Sequence, residues 1–123
     1  MSQEKMPTID IEVDYESVFL YLSDPRSLQD WNPDFTDFMV KDNGHYAGIC
    51  NWRVCEVWTV ADPETGHITW NISWADGKVD SISGRVKRIP RGANFKFITK
   101  PFSKFNTDTL LAIIRTTLEN SMK

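Results

Sequence analysis

With two cysteines, two histidines, six glycines and no long apolar run, this 123-residue chain has few chemistries open to it. A bilayer-spanning helix needs about 20 consecutive apolar residues, and no stretch approaches that length, so integral membrane association is excluded. The opening Met-Ser-Gln-Glu-Lys-Met-Pro segment has no apolar core of a secretory signal, which makes the cytoplasm the expected location. On one extended strand Cys50 and Cys55 would lie about 16 Å apart at about 3.3 Å per residue, and on opposite faces. A disulfide needs Cα atoms within about 7 Å, so none is expected, which suits a reducing compartment. His45, His67 and the two cysteines show no ligand spacing, so neither a metal nor a cofactor is expected. No Gly-rich phosphate loop, nucleophile elbow or paired-cysteine motif is present. Asn71-Ile72-Ser73 matches a glycosylation acceptor, but it falls in a strand of a chain with no signal. The net charge is −3 and the sequence pI about 5.3, a poor match for a phosphate backbone, so nucleic acid is not an expected partner. The basic run Arg85-Val-Lys-Arg-Ile-Pro-Arg91 reads as a solvated strand end and turn.

The chain is instead rich in tryptophan. Four of its five tryptophans fall on two neighbouring strand-like runs, Cys50–Val60 and His67–Trp74. Tryptophan is the largest apolar side chain, and its indole N–H needs a partner when buried. A small domain that gathers several on one sheet face is building either a thick aromatic core or the wall of a pocket. The length predicts a single domain over residues 1–123.

Local patterns give the element order. Thr8–Asp14 alternates as a strand with one buried face. Val18, Phe19 and Leu22 set a helix over Tyr15–Leu22, with Asp14 as its N-cap. Asp24-Pro25 stops it and starts a second short helix, with Asp24 as cap, ending at Trp31 before Asn32-Pro33. Phe35–Lys41 reads as a strand and Asp42–Gly48 as a turn. Strands follow at Cys50–Val60, His67–Trp74, Lys78–Ile89 and Ala93–Lys100, with turns at Asp62–Gly66, Ala75–Gly77 and Pro90–Gly92. From near Ser103–Thr107 the period becomes helical, with Leu110, Ile113, Ile114, Thr117 and Leu118 in one stripe. Six antiparallel strands with one apolar face, covered by that terminal helix, give an α+β fold.

This order resembles the START/Bet v 1-like superfamily, the polyketide cyclase/dehydrase and lipid-transport family. The opening Ile11–Pro33 segment carries most of the resemblance, through Val18-Phe19, Asp24-Pro25 and Trp31-Asn32-Pro33. The long central hairpins and the closing amphipathic helix carry the rest. The resemblance spans essentially the whole chain, with six strands where the family usually has seven. It implies a helix-grip fold: a curved sheet wrapped around the C-terminal helix, enclosing an apolar cavity. Members bind lipids, sterols, polyketides, hormones or quinones, and a minority catalyse cyclisation or dehydration. The family has no shared catalytic residue to carry over.

Strict alternation along Cys50–Val60 assigns Cys50, Trp52, Val54, Glu56, Trp58 and Val60 to the inner face, the more apolar set. Glu56 is then a carboxyl among tryptophans, its pKa raised by burial, which is the make-up of a general acid or base. A β-bulge that flips the face, or an arginine that satisfies the carboxylate, is the alternative. Lys78–Ile89 contributes Asp80, Ile82, Gly84, Val86 and Arg88 to the same face, with Arg88 a candidate partner for Glu56 or for an anionic ligand group; Arg115 competes for that role. A mid-strand Gly84 marks a bulge or a close approach. Trp52, Val54, Trp58, Trp70, Ile72, Trp74, Ile82, Phe95 and Phe97 form the expected ligand wall, faced by Phe105, Leu110 and Ile113. Trp31 is expected to wedge the second helix against the sheet edge. His45 and Tyr46 sit in a turn that could gate an entrance, or serve only as surface. The leading expectation is a monomer or homodimer that binds a small hydrophobic or aromatic molecule between sheet and helix. The alternatives are a cyclase or dehydratase using Glu56, and an interaction module with a solid core.

Overall fold

Alternating apolar runs joined by tight turns pair with their neighbours, and a sheet so formed must bury its apolar face. The computed structural model describes residues 7–121; Met1–Met6, most of the segment read for a leader, lie outside the described residues. The elements are β1 (Thr8–Ile11), α1 (Tyr15–Ser23), α2 (Ser27–Trp31), β2 (Phe35–Val40), β3 (Tyr46–Cys50), β4 (Arg53–Asp62), β5 (His67–Trp74), β6 (Val79–Ile89), β7 (Gly92–Phe97) and α3 (Thr107–Ser121). The seven strands form one antiparallel sheet in the order β1-β7-β6-β5-β4-β3-β2. The helices pack on its inner face. No helix among the described residues is long and apolar enough to cross a membrane.

Among the described residues the strand count is seven, not six, and the reason is a two-residue turn inside the run read as one strand. Asn51 and Trp52 both have positive φ, 49° and 70°, the backbone of a type I′ hairpin. Cys50 pairs with Arg53 across it. Tyr46–Cys50, assigned to the preceding turn and the start of a long strand, is therefore β3. Because side chains alternate with a period of two, the turn resets which residues face inward. Cys55 and Val57 are buried, whereas Val54 and Val60 are exposed.

α1 forms as its spacing predicts. Tyr15, Val18, Phe19 and Leu22 make the buried face, and the Asp14 carboxylate accepts from Ser17 N at 3.0 Å. α2 starts later than expected, at Ser27, because Asp24 to Ser27 forms a turn of its own (Ser27 N to Asp24 O, 3.0 Å). α3 is entered through Asn106, whose side-chain oxygen accepts from Thr109 N at 2.8 Å. Its buried stripe is Leu110, Leu111, Ile114 and Leu118; Leu111 takes the central place expected of Ile113, which is half-buried.

Candidate functional site

The inner face of β5 sets the centre of the molecule. Ile68, Trp70, Ile72 and Trp74 are all buried there, as their alternation predicts. Trp31 comes down from α2 onto this centre rather than onto the sheet edge. Its ring meets Trp70 edge-on at 5.2 Å and 69°, and Phe97 at 5.7 Å. Phe95 packs on Trp70 at 6.3 Å and on Phe97 at 5.0 Å. Gly84 makes room for this cluster: a Cβ there would meet Phe95 Cζ at 2.4 Å. The mid-strand glycine thus marks a close approach by an aromatic ring.

Trp31 and Trp70 are both fully buried, and neither indole N–H has a hydrogen-bond partner among the described residues. A buried donor without a partner is uncommon and costs about 1–3 kcal/mol. Trp74 differs: its indole N–H donates to Asp80 Oδ2 at 2.6 Å. Asp80 is thereby a partner of the wall rather than part of it.

The segment 98–106, between β7 and α3, straps the open side of the aromatic wall. Phe102 lies against Phe35 at 6.0 Å and Trp74 at 6.4 Å. Two buried polar residues after α2 hold the strap in place. Asn32 Nδ2 donates to Phe102 O at 3.2 Å, and the Asp34 carboxylate accepts from Lys104 N at 3.1 Å. Asn32 and Asp34 were not singled out from sequence; the Trp31-Asn32-Pro33 signature was the signal available. Phe105, expected to face the wall, turns outward and is 40% exposed.

Of the expected site residues, Trp70, Ile72, Trp74, Ile82, Phe95, Phe97 and Leu110 are gathered in the interior, with Ile113 packed at its margin. Trp52, Val54, Glu56 and Trp58 are not. The hairpin at Asn51–Trp52 sends all four to the outside, where Trp52 is 98% exposed. Glu56 accepts from Lys41 Nζ at 2.7 Å and is bonded to His45 Nδ1, whose ring stacks on Trp58 at 4.8 Å. The His45 bond first, and then Lys41, holds the Glu56 carboxyl below its ordinary value. This is the reverse of the raised acid expected. Arg88 does not meet Glu56 either; it pairs with Glu16 at 2.7 Å and lies over the Tyr15 ring at 4.2 Å.

The hairpin also corrects the reading of the cysteines. Cys50 and Cys55 face the same way, on adjacent strands, because Gly48 pairs with Cys55 and Cys50 with Arg53. Both are free thiols. Burial pushes the Cys50 thiol up to about 12 and the Cys55 thiol up to about 11, which makes both poor nucleophiles at neutral pH. Arg53, on the same face, lies over the Trp74 ring at 4.2 Å. A cleft of about 750 Å³ opens at the far end of the sheet, where Ile11 and Ile89 meet Arg115 and Glu119 of α3.

A curved antiparallel sheet closed by a C-terminal helix, with two short helices after the first strand, is an α+β fold of the helix-grip kind. Several solved structures share it. The solution structure of the Aha1 dimer from Colwellia psychrerythraea matches with a TM-score of 0.63 at 14% identity, over 98% of this chain and 100% of that one. An X-ray structure of a Mesorhizobium loti protein matches with a TM-score of 0.61 at 12% identity, over 96% and 97%. An X-ray structure of a Chromobacterium violaceum protein matches with a TM-score of 0.59 at 14% identity, over 94% and 99%. At these identities the likeness is one of fold. No family model matches the chain, and no curated protein matches it significantly.

Proposed function

We propose that the protein binds a small apolar molecule carrying a hydrogen-bond acceptor, such as a carbonyl oxygen, between the inner sheet face and α3. The observation that carries this is the pair of fully buried, unpartnered indole N–H groups of Trp31 and Trp70. An acceptor oxygen that reaches either group satisfies a donor that otherwise remains unpaired, in surroundings made of Ile, Leu and Phe side chains. Pockets for small molecules have this character: apolar walls with a few placed polar groups. Entry requires the strap over Phe102 to lift, since the aromatic rings fill the interior when it is closed. The resemblance of the Ile11–Pro33 segment to the START/Bet v 1-like superfamily supports the same reading, because ligands of that family lie between sheet and helix. A binding role in the cytoplasm, as monomer or homodimer, accords with it. The cyclase reading has lost its acid, because Glu56 is ionised, paired and on the outer face.

A solid-core interaction module is the second reading. Its support is the close packing of Trp31 on Trp70 and Phe97, together with the exposure of Trp52 at a hairpin tip.

The test is a fluorescence and thermal-shift titration with alkyl and aryl ketones against hydrocarbons of matching shape. A Trp52→Phe/Trp58→Phe background confines the signal to the interior and Trp74. Ketones are expected to bind more tightly than the hydrocarbons. Trp31→Phe keeps the ring and removes the donor, and should weaken ketone binding about fivefold, the worth of one neutral hydrogen bond. If no compound shifts either signal and Trp31→Phe raises stability, the interior is a closed core and the second reading stands.

A further inference from the structure

The basic run Arg85–Arg91 holds four cations, and the fold splits them. Arg88 pairs with Glu16 at 2.7 Å and Arg91 with Glu12 at 3.7 Å. Arg85 and Lys87 alternate to the outer face of β6, and among the described residues neither forms an ion pair. The register then sets a histidine and a further lysine beside them. His67 on β5, Arg85 on β6 and Lys96 on β7 are direct cross-strand neighbours in one row. Lys87 stands opposite Asn94 in the next outward row. Like charges directly opposite each other destabilise a sheet, and here they gather in a chain whose net charge is negative.

These side chains enclose a cleft of about 150 Å³, lined by His67, Arg85, Lys87, Asn94, Lys96 and Ile98. No carboxylate among the described residues lines it. That volume corresponds to about five waters at ~30 Å³ each, the scale of one tetrahedral oxyanion with a water beside it. Two of the lining groups are fixed from behind. Arg85 Nε donates to Thr65 O at 2.9 Å, and His67 Nδ1 lies 2.9 Å from Thr65 Oγ1. The Arg85 Nη groups and His67 Nε2 are thereby left for a ligand. Two carboxylates lie nearby. Asp10 on β1 is occupied by Asn94 Nδ2 at 2.8 Å, and Glu64 lines the neighbouring cleft with Arg85 and Lys87.

We infer that the outer face of β5, β6 and β7 is a binding site for a phosphate-type oxyanion, either free phosphate or the phosphomonoester of a lipid headgroup. The Arg85 guanidinium offers a planar fork for two oxygens, and Lys87 and Lys96 act as point charges on the others. The site lies on the side of the sheet opposite α3, so it is independent of the interior ligand.

The test uses the intact protein. Amide chemical shifts are followed during titration with inorganic phosphate, with sodium chloride at matched ionic strength as control. Sedimentation with phosphatidylcholine vesicles, with and without phosphatidic acid, forms the second arm. Lys96→Gln is compared with Lys78→Gln, which makes the same charge change on an exposed turn; Lys87→Gln serves if Lys96→Gln fails to fold by circular dichroism. Saturable phosphate shifts at His67, Arg85, Lys87 and Lys96, weakened about tenfold by Lys96→Gln but not by Lys78→Gln, are expected for a charge-assisted contact. Vesicle binding that needs phosphatidic acid and Lys96, without phosphate shifts, assigns the lipid headgroup as the source. Absence of both, or equal weakening by Lys78→Gln, overturns the proposal.

Discussion

Trp52 occupies the second position of a type I′ turn with φ at 70° and is 98% exposed. A left-handed backbone costs a residue with a Cβ about 1–2 kcal/mol, and an exposed indole recovers little of that by burial. Trp52→Gly should therefore stabilise the fold by about 1 kcal/mol, since Asn-Gly is the favoured pair for this turn; urea denaturation checks it. The same turn explains why Glu56 was misplaced from sequence. The Trp-x-Val-x-Glu-x-Trp alternation is real, and Asn51 is the single turn-favouring residue against it, because tryptophan stands where glycine is expected. Burial, on which the raised carboxyl depended, was a consequence of a phase that the turn reversed.

At the scale of elements, β6 shows how one residue sets a surface. Gly84 lies under the Phe95 ring, and the Phe95–Phe97–Trp31–Trp70 cluster is stacked above it. Gly84→Ala should destabilise the protein by about 1–3 kcal/mol through overpacking, whereas Lys87→Gln on the exposed outer face should change stability by less than about 0.5 kcal/mol. Thermal unfolding of the two variants separates the outcomes, and equal effects would mean that Phe95 moves aside freely. β5 and β7 were legible because alternation along each is unbroken by any turn. β3 was not, because its five residues follow an Asn-Gly turn and end at a second one that lacks the glycine. α2 was placed from Asp24-Pro25, and its late start reflects a turn whose backbone bonds compete with the cap.

For the whole molecule, the ionisable groups define a pH window. Asp14, Glu16, Asp24 and Glu56 all have carboxyls held below their ordinary values of 3.8 and 4.5, by Ser17, Arg88, Arg26 and His45 respectively as first cause. A depressed carboxyl contributes stability that is complete above its unfolded pKa and is lost as pH falls through the folded one. The buried thiols act in the opposite direction. Their raised values leave stability whole below the ordinary value of 9.0, and it declines as pH rises from there toward about 11 and 12. Stability by urea denaturation should thus be level from about pH 5 to 8 and fall outside that range on both sides. A decline beginning inside that window would overturn the assignment to these groups. Thiol labelling at pH 8 should be slow in the native protein and rapid in denaturant.

The elements other than β3, the inner faces of β5, β6 and β7 and the Leu110, Ile114 and Leu118 stripe of α3 follow from the sequence alone, because periods of two and 3.6 are imposed by backbone geometry wherever an element is continuous. Only the tertiary structure decided the phase of β4, the partners of Glu56 and Arg88, and the descent of Trp31 onto Trp70. Each of these depends on where the chain turns or on what a distant strand brings alongside. The row of His67, Arg85 and Lys96 is of the same kind: three residues separated along the chain become neighbours through hydrogen-bond register, which no local pattern records.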